Sequence, residues 1–452
     1  MSIKQDHIDW VTKDRKYLWH ALMPYKENVA PMIVEEGKGS WIKDLNGEPY
    51  LDGMSGLWCV NVGYGREEMA RAAYEQMVKM SYYPLSQSHA PAIQLAEKLN
   101  EWLEDDYVIF FSNSGSEANE SAFKMVKQYH MQTGNPSRTK FISRYRAYHG
   151  NTMGALAATG QAQRKYKYEP FPSGFLHVRP PDAYRRPQGM TLEEFNLQCV
   201  QSIEETIIWE GAETIAGIIM EPAITGGGVI VPHPVYMQEV ERICRRYGVL
   251  LIIDEVICGF GRSGQKFGHM NYKVKPDIVT MAKGLTSGYL PLSATAVRKD
   301  LYEAFKQKEE YSHFRHVNTF GGNPASCALA LKNLEIIERE NLIQRSALLG
   351  ERLHVGLQEL VEHPLVGDIR SFGFLLGIEL VEDKQTKKPL SVATVNHIIE
   401  QAKSRRLIIG KNGETVAGFN NVLTLSPPLS STDADVEFII STMKEVFNHL
   451  TR

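Results

Sequence analysis

Between about residues 105 and 300 the chain alternates short apolar runs with longer helical patterns. The runs are "VIFF", "KFIS", "IAGIIME", "VLLIID" and "DIVTM", separated by stretches such as "EANESAFKMVKQYH" and "VYMQEVERICRRYG". A strand that is apolar throughout needs cover on both faces, and a parallel sheet wrapped by helices supplies it. Its crossovers are then right-handed. This middle part therefore predicts an α/β architecture.

The two ends of the chain read differently. Around residues 40–62 short strands alternate with glycine-rich turns, in "GSWIKDLNGEPYLDGMSGLWCVNVGYG". After "GGNP" at 321–324 a long helical pattern leads to a strand-rich tail around "FGFLLGIEL" and "NNVLTLSPP". Neither end alone makes a full domain, so the two are expected to pack together as a smaller α+β domain. The expected division is 1–75 and 326–452 for the small domain and 76–325 for the large one. A chain of 452 residues, 43% of them hydrophobic, has the apolar material for two cores.

Composition narrows the partners. With 50 basic against 53 acidic residues the formal charge is −3, far from the excess that drives binding to nucleic acid or to a membrane surface. No apolar run approaches the roughly 20 residues needed to cross a bilayer, and "MSIKQDHIDWVTKD" has no signal-peptide core. The five cysteines are scattered and form no CxxC pair, which fits a reducing compartment. The expectation is a cytoplasmic protein that handles a small molecule.

In open parallel sheets ligands bind beyond the carboxyl ends of the strands, so the residues after each run are the candidates. "VIFF" is followed by "SNSGSEANE", where Ser114, Gly115 and Ser116 open a helix; free N–H groups and the helix dipole there suit a phosphate. The plainer reading makes Ser116 only a helix cap. "KFIS" is followed by Tyr148, His149 and Gly150, a flat aromatic beside a position where backbone can approach a ligand closely. "VLLIID" ends in Asp254 and Glu255, carboxylates that need partners if buried. "DIVTM" is followed by Lys283 in "TMAKGLTSGYLP". A desolvated amine there either snorkels to water or serves as a nucleophile toward a carbonyl.

Taken together, a phosphate cradle, a stacking aromatic, a carboxylate and a nucleophilic lysine on successive strands match the needs of pyridoxal 5′-phosphate. That cofactor carries a phosphate, a flat ring, a ring nitrogen to keep protonated and an aldehyde. Two other motifs point elsewhere but lack support. "GFGRSG" at 259–264 fits a dinucleotide pattern, yet the glycine- and proline-containing stretch after it reads poorly as a helix. His313 and His316 have no accompanying ligand cluster for a metal.

The same residues resemble the class III pyridoxal-phosphate aminotransferases of fold type I, in particular the ω-amino acid:pyruvate branch. The likeness runs from "YLDGMSGLWCVNVGYGR" through "FFSNSGSEANE", "RYRAYHG", "IIMEP", "LIIDEVICGFGRSG" and "MAKGLTSGYLPLSA" to "HVNTFGGNPASC". It implies that Lys283 is the Schiff-base lysine and Asp254 the partner of the ring nitrogen. It further implies Gly115 and Ser116, with Ser114, as phosphate cradle, Tyr148 with His149 at the ring, and Val256 on its other face. Glu221, in "MEP", matches a carboxylate near the cofactor. Thr319 matches a threonine that reaches the phosphate of the neighbouring subunit, which implies a homodimer with a shared active site and leaves open a tetramer of paired dimers. Trp58 matches an aromatic of the substrate pocket.

The activity implied is transfer of an amino group from an ω-amino acid, taurine or a primary amine to pyruvate in two half-reactions. The alternative inside the family is the adenosylmethionine-8-amino-7-oxononanoate aminotransferase of biotin synthesis, whose paired-tryptophan pattern is replaced here by "SGLWCVN". A transcription regulator on the same fold needs a basic DNA-binding domain, and the roughly 30 residues before "PMIVEEG" are too few to supply one. The chain departs from the family where a mobile arginine usually grips the acceptor carboxylate: that position falls at Gly410-Lys411, with Arg405 and Arg406 nearby but out of step, so Lys411 or a nearby arginine is the expected anion contact.

Overall fold

The apolar runs of the middle part become adjacent strands of one seven-stranded sheet. In chain order they are β1 (Tyr107–Ser112), β2 (Lys140–Arg144), β3 (Phe175–Val178), β4 (Ile215–Met220), β5 (Leu250–Asp254), β6 (Ile278–Met281) and β7 (Ser293–Arg298). The spatial order is β1-β7-β6-β5-β4-β2-β3. Neighbours pair in parallel from β3 across to β6, and β7 runs antiparallel between β6 and β1. The computed structural model describes residues 3–22, 24, 31–413 and 415–450. Two of the strands, β3 and β7, lie outside the five runs singled out in the sequence: β3 is a half-buried edge, and β7 ("SATAVR") is diluted by small and polar residues.

Helices cover both faces. Helix α1 (Gly115–Gln132) buries Ala122, Phe123, Met125 and Val126 against one side, where they cluster with Phe141, Ile219 and Ile252. Helices α2 (Leu192–Glu210) and α3 (Pro234–Tyr247) pack against each other on a cluster that includes Ile203, Ile207, Met237, Val240, Leu251 and Ile253. The doubly covered sheet explains why β4 and β5 are buried at every position.

The two chain ends share a sheet. Val34–Lys38, Trp41–Asp44 and Pro49–Asp52 form an antiparallel meander, and Leu407–Ile408 from the far end of the chain pairs in parallel with the third strand. "FGFLLGIEL" and "NNVLTLSPP" supply neighbouring antiparallel strands of a further sheet, with Leu376 opposite Leu425. The division proposed at 75/76 and 325/326 cuts through two helices that pack on each other, Glu67–Lys79 and α4 (Pro324–Arg339).

"GFGRSG" acts as a clamp between these parts. No long helix follows it, only a five-residue 3-10 turn at Gly268–Tyr272. Arg262, fully buried, donates from Nη2 to Asn61 Oδ1 at 2.8 Å and Ser55 Oγ at 3.1 Å, and from Nη1 to the Pro427 carbonyl. Burial lowers its guanidinium to about 9, so the surrounding oxygens are what keep a cation tolerable there. Among the described residues no helix is long and apolar enough to cross a membrane.

Candidate active site

Five parallel strands end at the same edge of the sheet, and their following residues enclose one cavity of about 330 Å³. Ser114, Gly115 and Ser116 after β1, Tyr148 and His149 after β2, Glu221 after β4, Asp254 and Val256 at β5 and Lys283 after β6 all line it. These residues span 170 positions of sequence; the common strand polarity brings them together.

At the β1 end the helix cap is Ser114, not Ser116: Ser114 Oγ accepts from the Glu117 amide at 3.2 Å. Ser116 instead bonds across the cavity wall, donating to Asn151 Oδ1 at 2.9 Å and accepting from the Asn151 amide at 3.1 Å. Gly115 is required by close packing, because a Cβ there would lie 2.9 Å from Val256 Cγ2. Gly150, at φ +139°, would bring a Cβ to 2.5 Å from Ser116 Oγ. The cradle is thus an 18-residue helix's first turn held open by two glycines, a shape and polarity suited to a phosphate.

The floor of the cavity is a buried hydrogen-bonded chain. Asp254 Oδ2 accepts from His149 Nδ1 and from Asn119 Nδ2, each at 2.9 Å, and Oδ1 accepts from the Val256 amide at 3.1 Å. Asn119 also donates to the His149 carbonyl at 2.6 Å and accepts from Thr280 Oγ1 at 2.8 Å. Glu255, next in sequence, points the opposite way and accepts from the Gly268 and His269 amides and from His269 Nδ1. Alternation along a strand separates the two carboxylates: one faces the cavity, the other caps a turn.

Asn119 and Thr280 were not singled out in the sequence, although a signal existed: an asparagine inside a helix and a threonine inside an apolar strand both ask for a partner. Glu221 is buried, with Oε2 lacking a partner and Oε1 accepting from Thr225 Oγ1 at 3.4 Å. Burial pushes its carboxyl up to about 8; the nearby Arg144 opposes the rise and Asp254 adds to it. Lys283 has φ +46°, a conformation non-glycine residues adopt at some cost and one found where function constrains the backbone.

Three residues lie apart. Trp58 is buried with its Nε1 unpaired, and its neighbour Leu57, not Trp58, lines the cavity. Thr319 is exposed, its carbonyl accepting from Tyr82 Oη at 2.9 Å. Lys411 is not among the lining residues; its Nζ donates to Asn396 Oδ1 at 2.6 Å on the helix Val392–Ser404.

The orphaned His149 Nε2 and Glu221 Oε2, the open helix terminus and a lysine at one cavity suit a flat heteroaromatic phosphate ester bearing a carbonyl. The chain is also similar to known proteins. The family profile "Aminotransferase class-III" matches residues 22–447. An uncharacterized aminotransferase, YhxA, of Bacillus subtilis (strain 168) is 62% identical over 436 residues, 96% of each chain. The taurine–pyruvate aminotransferase of Bilophila wadsworthia (strain 3_1_6) is 41% identical over 446 residues, 98% of this chain and 97% of that one. A crystal structure of a Bacillus anthracis aminotransferase superposes with a TM-score of 0.96 at 58% identity, covering 100% of both chains.

Proposed function

The chain belongs to the class-III aminotransferase family, and from that premise we propose that it moves an amino group from an ω-amino acid, taurine or another primary amine to pyruvate. The observation that carries this reading is the single cavity shared by Lys283, Asp254 and the Ser114–Ser116 turn. The 41% identity to a taurine–pyruvate aminotransferase supports the choice of donor and acceptor class.

Pyridoxal 5′-phosphate, when bound, supplies an aldehyde that takes up amines and a ring that spreads the negative charge left by proton removal. In this reading Ser114, Gly115 and Ser116 hold its phosphate, and Tyr148 and Val256 flank its ring. Asp254, oriented by His149 and Asn119, keeps a proton on the ring nitrogen. Lys283 Nζ removes a proton from the carbon bearing the donor's amino group and returns one in the opposite half-reaction. Glu221, neutral at pH 7, contributes a polar wall without adding a second negative charge beside Asp254.

The same reading places the enzyme in the cytoplasm as a homodimer. Thr319 sits between exposed Val317 and Phe320, beside a cleft of about 680 Å³ lined by Leu85, Ile93 and Phe314, an apolar surface suited to a second copy. Sedimentation of wild type and of Phe320→Asp tests it; a fully active monomer would refute the shared site.

A panel of donors against pyruvate, followed by alanine formation, tests the activity. Turnover with β-alanine or taurine is expected. Turnover confined to S-adenosylmethionine with 8-amino-7-oxononanoate would replace this reading by the biotin-pathway one.

A further inference from the structure

We propose that Arg164, and not Lys411, is the specificity-determining residue that binds the remote anion of the substrate. The inference rests on the ω-amino acid reading of the site. A donor whose amine must reach Lys283 presents its carboxylate or sulfonate at the mouth of the cavity, so a cation belongs beside the lining residues and not in the floor. Arg164 meets that condition: its guanidinium carbon lies 5.1 Å from the centroid of Tyr148, which lines the cavity.

The surroundings hold Arg164 beside Tyr148 while leaving donors unspent. It belongs to the short helix Ala162–Lys165, which is stitched to the segment after Lys411. The Gln163 amide donates to the Thr415 carbonyl at 3.1 Å, and Asn420 Nδ2 donates to Gln163 Oε1 at 2.7 Å. Gln161, fully buried, anchors to the Arg146 carbonyl at 2.8 Å and accepts Arg164 Nε at 2.8 Å. The distal nitrogens make one long bond, Nη2 to the Gly413 carbonyl at 3.4 Å, and among the described residues no carboxylate pairs with the guanidinium. The group is half-buried, so an arriving anion finds it partly desolvated.

The arrangement serves two kinds of substrate. An anion exchanges the weak Gly413 contact for a charge-assisted bond, bidentate where the fork geometry allows. A neutral amine leaves Arg164 stacked on Tyr148, where ring and guanidinium present a flat surface to its apolar body. Neither cation is itself a lining residue; Arg164 stacks on one that is, whereas Lys411 bonds Asn396.

The test uses holoenzyme and two readouts. Ethanesulfonate and propionate carry the anion without the amine, and their dissociation constants by titration calorimetry report the subsite apart from turnover. Arg164→Gln is expected to weaken both by roughly tenfold to a hundredfold, with Arg164→Lys recovering part of the loss and Lys411→Ala changing neither by more than about twofold. In kinetics, Arg164→Gln should raise KM for β-alanine, taurine and pyruvate by a similar factor and leave 1-phenylethylamine within about threefold. Equal losses for all donors, or loss of anion binding in Lys411→Ala with Arg164→Gln unaffected, would overturn the assignment. Anion binding lost in Arg164→Gln while the wild type turns over no ω-amino acid or taurine would sink the proposed function and leave the subsite standing.

Discussion

His149 Nδ1 lies 2.9 Å from Asp254 Oδ2, with both side chains almost entirely out of water. A carboxylate only accepts, so Nδ1 carries the hydrogen, and Nε2 has no partner within the fold. Asp254 is thereby pinned by three donors in one orientation, which is what a group that must hold a proton on a ligand's ring atom requires.

Asp254→Asn keeps the size of the side chain and removes its charge. We expect kcat to fall by roughly 10²–10³-fold, the scale of losing one preorganised electrostatic contact, with the cofactor still retained. Full activity with unchanged cofactor absorbance would show that the carboxylate has no such role.

Lys283→Ala removes the only lysine that lines the cavity among the described residues. Turnover should drop by roughly 10²–10⁴-fold, while the Ser114–Ser116 turn still binds a phosphate ester. Borohydride treatment of the wild type, then peptide mass mapping, should find the cofactor on the peptide containing Lys283. Labelling of a different lysine would contradict the assignment.

Gly115→Ala forces a methyl to within 2.9 Å of Val256 Cγ2. Overpacking of this kind costs about 1–3 kcal/mol, here felt as weaker cofactor binding by tenfold or more. Val256→Ala should restore the affinity of the Gly115→Ala chain. Independent, additive effects of the two substitutions would show that the contact does not govern the site.

Glu221 supplies a pH dependence whose sign is fixed. In the folded chain it keeps its proton up to about pH 8, whereas an unfolded glutamate loses it near about 4.3. Between those values the folded state binds more protons, so this residue makes stability fall as pH rises through the window, then level off above it. Thermal unfolding of cofactor-free wild type from pH 5 to 8.5 should decline more steeply than that of Glu221→Gln. Parallel curves would mean that Glu221 is ionised in the fold.

Much of this site can be read along the chain because its parts sit at the ends of strands. Five apolar runs announce a covered sheet, and with strand polarity shared, whatever follows each run must arrive at one edge; Ser114, Tyr148, Asp254 and Lys283 were therefore traceable one by one. What the chain alone left open depends on partners far apart in sequence. Asn119 meets Asp254 across 135 positions, and local pattern cannot say which buried amide will find which carboxylate. Small and polar residues dilute the strand signal of β7, and only burial between β1 and β6 selects that conformation. Lys411 and Arg164 show the same division most sharply: the first stands where the sequence expects the anion contact, the second about 250 positions earlier, and folding turns one toward Asn396 and stacks the other on Tyr148. Residue type and spacing determine which chemistry is available, but direction and distance are properties of the packed chain, decided when burial commits each side chain to a face.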